Sequence, residues 1–254
     1  MKIAIIGYGR MGHEVEKAAL ERGHEIVCRI DKDNRGDFDS EAFASADAAI
    51  EFTIPSQAFD NVSECLRRGK AVVSGTTGWT DRFGEIDLLI HETGVPMVWA
   101  SNYSIGVNVF MHINRELARV MGRLPGEYKA EIEEIHHIHK LDHPSGTAIT
   151  LANDIVGNGW YNQWAATDEF ETVFDDQTLP VDSRREGEVP GTHIIRWDSD
   201  ADTITLEHRA KNRSGFAQGA VYAAEWLLEV PEFMAYQPGA RYSMSDVLAS
   251  IFNK

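Results

Sequence analysis

The chain has 254 residues, 43% hydrophobic and 25% charged, the make-up of a globular protein with one large domain or two modest ones. Its 24 basic and 40 acidic residues leave a net charge of −16, which argues against nucleic acid or an anionic membrane as partner, since both need a positive face. Two cysteines, Cys28 and Cys65, are too few for a disulfide framework, and no stretch approaches the ~18–20 apolar residues of a spanning helix. The opening MKIAIIGYG is too short for a signal-peptide core, so a soluble, cytoplasmic chain is expected.

In chain order, KIAIIG predicts a buried strand, MGHEVEKAALERG a helix stopped by glycine, and HEIVCRID a second strand closing on Asp31. A turn-rich loop and a short helix lead to the strand AAIEF, the helix TIPSQAFDNVSECLRRG and the strand KAVVSG. The helix DRFGEIDLLIHETG and the strand VPMVWAS follow. Strands alternating with helices at this spacing imply a doubly wound parallel sheet of the Rossmann type. After Tyr103 the rhythm changes. A long helix (SIGVNVFMHINRELARVMGRL), the strand EYKAEIEEIHHI, the helix SGTAITLANDIVGNG and a polar stretch to about residue 190 precede the paired strands GTHIIRW and TITLEHRA. This pattern predicts an α+β second domain with a mixed or antiparallel sheet. The expected organisation is therefore a dinucleotide-binding domain over 1–103 and a substrate-binding and oligomerisation domain over 104–213. The C-terminal 214–254, with the helix FAQGAVYAAEWLLEV, is expected to return to the first domain.

Gly7-Tyr8-Gly9-Arg10-Met11-Gly12 is G-x-G-x-x-G between a predicted strand and a predicted helix, the context that gives the motif meaning. Gly7 allows the tight turn, Gly9 lets backbone approach a pyrophosphate, and Gly12 allows close helix–strand packing. Asp31 lies 19 residues after Gly12, where a carboxylate accepts from the adenosine ribose hydroxyls and favours NAD. Lys32 follows at once and is suited either to the 2′-phosphate of NADP or simply to solvent. A second turn, Ser74-Gly75-Thr76-Thr77-Gly78, lies at the sheet edge where ligands bind in open α/β folds.

The stretch EIHHIHKLDHPSGTA crowds His136, His137, His139 and His143 around Lys140, which suits either a metal site or proton transfer. Read as a strand, it puts His137 and His139 on one face and turns His136 away, so no ready three-ligand set forms. The i, i+4 spacing of H-E-x-x-H is also missing, and no metal is expected. Ser145 is a good N-cap, leaving the N–H groups of Gly146 and Thr147 free to hold a carboxylate.

The stretch from Glu134 to Ala148 resembles the signature of the dihydrodipicolinate reductase family, E-x-H-H-x-x-K-x-D-x-P-S-G-T-A, at every fixed position. GYGRMG, EFTIP, GTTG, ASNYSIGVN, SRREGEVPGTH, RSGFAQGA and RYSMSDVL are also similar to that family, in order, across nearly the whole chain. The resemblance implies an NAD(P)H-dependent oxidoreductase that reduces 4-hydroxy-tetrahydrodipicolinate, a small dianionic ring, to tetrahydrodipicolinate in lysine and diaminopimelate biosynthesis. It also implies a homotetramer. Hydride delivery into a conjugated C=C–C=N system builds negative charge that a positioned acid must quench. Lys140 is the implied main donor and His136 a donor or relay. His137, with Gly146 and Thr147, would hold substrate.

The implied cofactor contacts are Gly7, Tyr8, Gly9, Arg10, Met11, Gly12, Asp31, Lys32, Gly75, Thr76, Thr77, Ala100, Ser101, Asn102 and Tyr103. The glycine loop is one residue shorter than the G-x-G-G-R-M-G of several relatives, and Ile54 stands where some carry a basic residue, so NADH is favoured over NADPH. A hinge near Tyr103 and Ser214 would let the halves close on substrate. Arg184, Arg185, Arg209, Lys211 and Arg213 receive no role, and His193 and His208 are expected to support the fold or subunit contacts.

Overall fold

The structure is a computed structural model that describes residues 1–167, 175–229 and 240–252. Chain order begins with β1 (Lys2–Ile6), α1 (Arg10–Glu21), β2 (Glu25–Ile30), α2 (Glu41–Ala44), β3 (Ala48–Glu51), α3 (Pro55–Arg67), β4 (Ala71–Ser74), α4 (Phe83–Thr93) and β5 (Met97–Trp99). Then come α5 (Ile105–Met121), β6 (Lys129–His136), α6 (Gly146–Val156), β7 (Gln163–Thr167), β8 (Thr178–Arg185), β9 (Thr192–Asp198) and β10 (Thr203–Arg209). The chain closes with α7 (Ser214–Glu229), β11 (Arg241–Tyr242) and α8 (Met244–Phe252). Two compact units result, one of residues 1–105 with 214–254 and one of residues 106–213. Val230, the last residue of the expected α7 segment, lies outside the described residues.

The first unit holds a six-stranded sheet in the order β11-β5-β4-β3-β1-β2, with all pairs parallel. Helices cover both faces, which is why the central strands read as unbroken apolar runs rather than alternating ones. Val15 and Ala19 of α1, Ala220 and Ala224 of α7 and Val247 of α8 pack on one face. Val62 and Leu66 of α3 with Ile86 and Ile90 of α4 pack on the other. Small alanines on α7 fit where a second helix, α1, shares the same sheet face.

The second unit holds a five-stranded mixed sheet, β10-β9-β6-β8-β7. The β10–β9 and β9–β6 pairs are antiparallel, while β6–β8 and β8–β7 are parallel. One face is closed by α5 and α6, through Phe110, Ala118, Leu151 and Ile155 against Ile132, Val181 and Ile195. Two expectations change here. The polar stretch to residue 190 contains two strands, β7 and β8, apart from residues 168–174, which lie outside the described residues. The strand expected through HHI stops at His136, and the chain turns, with Lys140 N–H donating to the His137 carbonyl at 3.1 Å.

Candidate active site

In the first unit the glycine loop leaves β1 and enters α1 with Gly9 as N-cap. Gly7 sits at φ +90°, a left-handed conformation that disfavours any side chain, and a Cβ there would strike the Phe52 carbonyl. A Cβ on Gly12 would strike the Gly7 carbonyl, whereas one on Gly9 would meet open space. The three positions thus divide into two that fix the turn and one that leaves backbone open to a ligand, which fits a pyrophosphate. Asp31, at the end of β2, accepts from Tyr8 N–H at 3.1 Å and from Lys32 N–H at 2.7 Å. Its carboxylate therefore faces the glycine loop, in a crevice lined by Ile6, Ile30, Asp31, Lys32, Arg35 and Thr53. Tyr8, by contrast, ties its hydroxyl to Glu16, which also pairs with Arg29. Those contacts hold the Glu16 carboxyl below its ordinary range, the Arg29 hydrogen bond first.

The second glycine turn is held from below by Glu51, a carboxylate buried at the end of β3. Glu51 accepts from the Ser74 hydroxyl at 2.6 Å, the Thr76 hydroxyl at 2.8 Å and Thr53 N–H at 3.0 Å. Burial nevertheless pushes its carboxyl pKa up. The only sequence signal was an acid closing an otherwise apolar strand. Thr76 spends its hydroxyl on Glu51, and Tyr103 is buried with its hydroxyl donating to the carbonyls of Ser74 at 2.8 Å and Val98 at 3.0 Å. Thr76 and Tyr103 thus shape the sheet edge, while Thr77 and Ser101 are exposed on it. Asn102 turns its side-chain carbonyl to Ser104 N–H at 2.9 Å.

In the second unit β6 delivers Glu134 and His136 on the face that also carries Ala130 and Ile132, as the two-residue period of a strand requires. Ser145 caps α6, its hydroxyl accepting from Ala148 N–H at 3.2 Å, as its sequence position indicates. Gly146 and Thr147 supply first-turn N–H groups that no intrahelical carbonyl can reach. Between them, the turn of residues 137–144 carries Lys140, whose Nζ donates to both carboxylate oxygens of Asp142 at 2.7 and 2.8 Å. Desolvation pushes that carboxyl up, but the Lys140 contact and a backbone hydrogen bond together hold it below its ordinary range. Among the described residues, the buried Nδ1 of His137 has no hydrogen-bond partner, and His139 pairs with Glu188 at the surface.

Glu134 received no site role from the sequence, and His193 was expected to support the fold or subunit contacts, yet both belong to this cluster. The β6–β9 register sets them directly opposite one another, and the β6–β8 register sets Ser183 on the other side of Glu134. Glu134 is fully buried. Burial alone would raise its pKa, but the opposing contacts of His136, Ser145 and Ser183 win and hold it ionised, far below the usual carboxylate range. His193 is the reverse case. Burial first, then the neighbouring His136, pushes its pKa down to about 3, so it is neutral near pH 7. Its Nε2 lies 3.2 Å from the Ser145 hydroxyl.

Among the described residues, the side chains close enough to share one cation are Glu134, His136 and His193. His136 is the one histidine of the histidine-rich stretch in that group; His137, His139 and His143 do not join it.

A doubly wound sheet with a glycine loop at its edge, joined to a second unit bearing a histidine–lysine cluster beside a helix start, defines a Rossmann-type oxidoreductase. Two family models, the N-terminus and the C-terminus of dihydrodipicolinate reductase, match residues 1–103 and 106–248, and the chain belongs to that family. It is 40% identical to the 4-hydroxy-tetrahydrodipicolinate reductase of Christiangramia forsetii, covering 99% of both chains. It is 34% identical to that of Alkalilimnicola ehrlichii, over 97% of this chain and 98% of the relative. The fold is shared with a dipicolinate-bound dihydrodipicolinate reductase from Paenisporosarcina sp. TG-14, at a TM-score of 0.74 and 24% identity over 96% and 97% of the two chains. The activity is that of the family, reduction of 4-hydroxy-tetrahydrodipicolinate in lysine and diaminopimelate biosynthesis.

Proposed function

We propose that the first unit binds NADH in preference to NADPH and that the second supplies the proton from Lys140, assisted by His136. The observation that carries this reading is the placement of His136 and the start of α6 around one buried carboxylate, Glu134, with the Lys140 turn tied to it through Arg185. When bound, a reduced nicotinamide supplies the hydride.

The Gly7–Gly12 loop receives the pyrophosphate at Gly9 and at the N–H groups of Arg10 and Met11. Asp31 accepts from the adenosine ribose hydroxyls. A 2′-phosphate would meet the Asp31 carboxylate, which is the reason for preferring NADH; Lys32 offsets part of that repulsion and leaves NADPH usable. Gly75 to Thr77 and Ala100 to Tyr103 form the sheet edge beside this crevice and complete the cofactor contacts.

The substrate ring carries two carboxylates. One is held by the N–H groups of Gly146 and Thr147 and the Thr147 hydroxyl, where the α6 dipole adds about 0.3–1 kcal/mol, rising to ~2 when partly buried. His137, with its unpaired buried nitrogen, takes the other. Lys140 leaves Asp142 and gives its proton to the carbon that gains negative charge as hydride arrives. His136 passes a replacement proton.

The dipicolinate bound to the Paenisporosarcina protein, a flat cyclic dicarboxylate, supports this substrate shape. No described helix is long and apolar enough to cross a membrane. A homotetramer built through the second unit's sheet is supported by the exposed residues of its edge strand β10. The test is oxidation of NADH and NADPH, followed at 340 nm in parallel with freshly generated 4-hydroxy-tetrahydrodipicolinate. A higher kcat/KM with NADH is expected; equal or reversed values would overturn the cofactor preference.

A further inference from the structure

Glu134 does more than fill the interior of β6. Its Oε1 accepts from Ser145 N–H at 2.9 Å, the first residue before α6, and from the Ser183 hydroxyl at 2.9 Å. The same oxygen lies 3.5 and 3.4 Å from Nη1 and Nη2 of Arg185. Its Oε2 faces His136 Nδ1 at 3.3 Å and His193 Nε2 at 3.7 Å. Glu134 Oε2 and His136 Nδ1 are both buried, and among the described residues neither has another hydrogen-bond partner of good geometry, so the two unpaired atoms face each other across 3.3 Å without good alignment.

Arg185 extends this reach. Its guanidinium donates to the Lys140 carbonyl at 3.3 Å and to the Asp142 carbonyl at 2.5 Å. These carbonyls flank the side chain that would give the proton. The turn is tied further by Glu186 N–H donating to the His136 carbonyl at 2.7 Å and Ile138 N–H to the Gly187 carbonyl at 3.1 Å. One buried carboxylate and one arginine therefore touch all three working parts: the imidazole, the lysine turn and the helix start. A resident cation in the Glu134–His136–His193 group is a poorer account of the same atoms, because the Arg185 guanidinium already supplies positive charge to that carboxylate.

We propose that Glu134, with Arg185 as its arm, is the positioning residue of the proton-transfer machinery, holding His136 as the Nδ1–H tautomer and pinning the turn that carries Lys140. An ionised carboxylate only accepts, so the His136 nitrogen facing it carries the proton. That leaves Nε2 as the lone-pair nitrogen, the form a relay needs. A side chain at Gly191 would crowd this same Nε2, since a Cβ there would lie 3.0 Å from it. The inference rests on the assignment of Lys140 and His136 to proton transfer.

Two variants test it, with Lys140→Ala as the control. Glu134→Gln keeps the shape and removes the charge. Its kcat is expected to fall on the order of 10²-fold, within the range that positioned proton transfer contributes, while cofactor KM changes less than about twofold. The ¹⁵N shifts of the His136 ring should lose their Nδ1–H signature, which a merely structural role would not move. Since a buried carboxylate also supports the fold, Arg185→Ala is the second variant. It is expected to lower kcat, leave the His136 tautomer unchanged, and speed hydrogen exchange of the 138–143 amides by about tenfold or more. Arg185→Lys should recover part of the loss.

A Glu134→Gln enzyme with kcat within twofold of the parent and an unchanged His136 spectrum would overturn the proposal. So would an Arg185→Ala enzyme with unaltered turnover and exchange. If either occurs while Lys140→Ala abolishes turnover, only the positioning role falls; if Lys140→Ala is itself fully active, the proton-transfer assignment falls.

Discussion

Lys140 and Asp142 form a close ion pair, Nζ lying 2.7 and 2.8 Å from the two carboxylate oxygens. The K-x-D spacing in the sequence thus becomes a direct contact that holds the ammonium by two hydrogen bonds. The pair is partly exposed, so it stabilises the fold by no more than about 1 kcal/mol. Asp142→Asn should therefore leave the melting temperature within a few degrees of the parent while changing kcat several-fold. A calorimetric scan beside a steady-state assay checks this; a large loss of stability with normal turnover would show that the pair is structural.

Ser145 caps the helix whose start is proposed to hold a substrate carboxylate. Ser145→Ala removes the hydroxyl that caps Ala148 N–H and should cost about 1 kcal/mol, within the ~0.5–2 range for lost N-caps. The loosened first turn should raise the substrate KM more than it lowers kcat. Chemical denaturation and substrate saturation curves on one preparation separate the two effects.

Stability should fall with acid in a window set by His193. Its pKa is pushed from 6.5 in the open chain down to about 3 in the fold, so between those values the unfolded state binds the extra proton. Stability is therefore fully present above pH 6.5 and declines as pH drops toward 3, with a slope of about 1.4 kcal/mol per pH unit for each differentially bound proton. Glu134, whose folded pKa is also depressed, adds to the decline only below its unfolded value of about 4.3. Urea denaturation at several pH values should show this slope beginning near 6.5, and His193→Gln should flatten its upper part.

The proposed NADH preference rests on Asp31. Asp31→Ala removes the acceptor for the ribose hydroxyls and the repulsion of a 2′-phosphate. The KM for NADH should rise about tenfold, the equivalent of one good charged hydrogen bond of roughly 1.5 kcal/mol, and that for NADPH should rise less or fall. Parallel saturation curves with both cofactors measure the ratio.

The parts legible in the sequence were those written in contiguous residues. The first unit's alternation announced itself because β1, β3 and β4 are apolar runs buried on both faces and a glycine closes α1, α3 and α4. The glycine loop, Asp31, the Ser145 cap and the Lys140 turn all lie within one short segment each. What escaped was set by register between distant strands. His193 meets Glu134 because β9 runs antiparallel beside β6, and Ser183 meets it because β8 runs parallel on the other side. β8 itself was hidden: Pro180, Asp182 and two arginines interrupt its alternation, although Leu179 and Val181 point into the core. Its inward positions continue as Ser183 and Arg185, polar because they serve Glu134. The strand was unreadable for the same reason that it is useful.

The most direct test of the account is turnover of Lys140→Ala with saturating NADH and 4-hydroxy-tetrahydrodipicolinate, measured on a sample whose NADH affinity is determined separately. NADH should bind as in the parent and kcat should fall by about 10²–10⁴-fold, the contribution of a positioned proton donor. Undiminished turnover in that variant would contradict it.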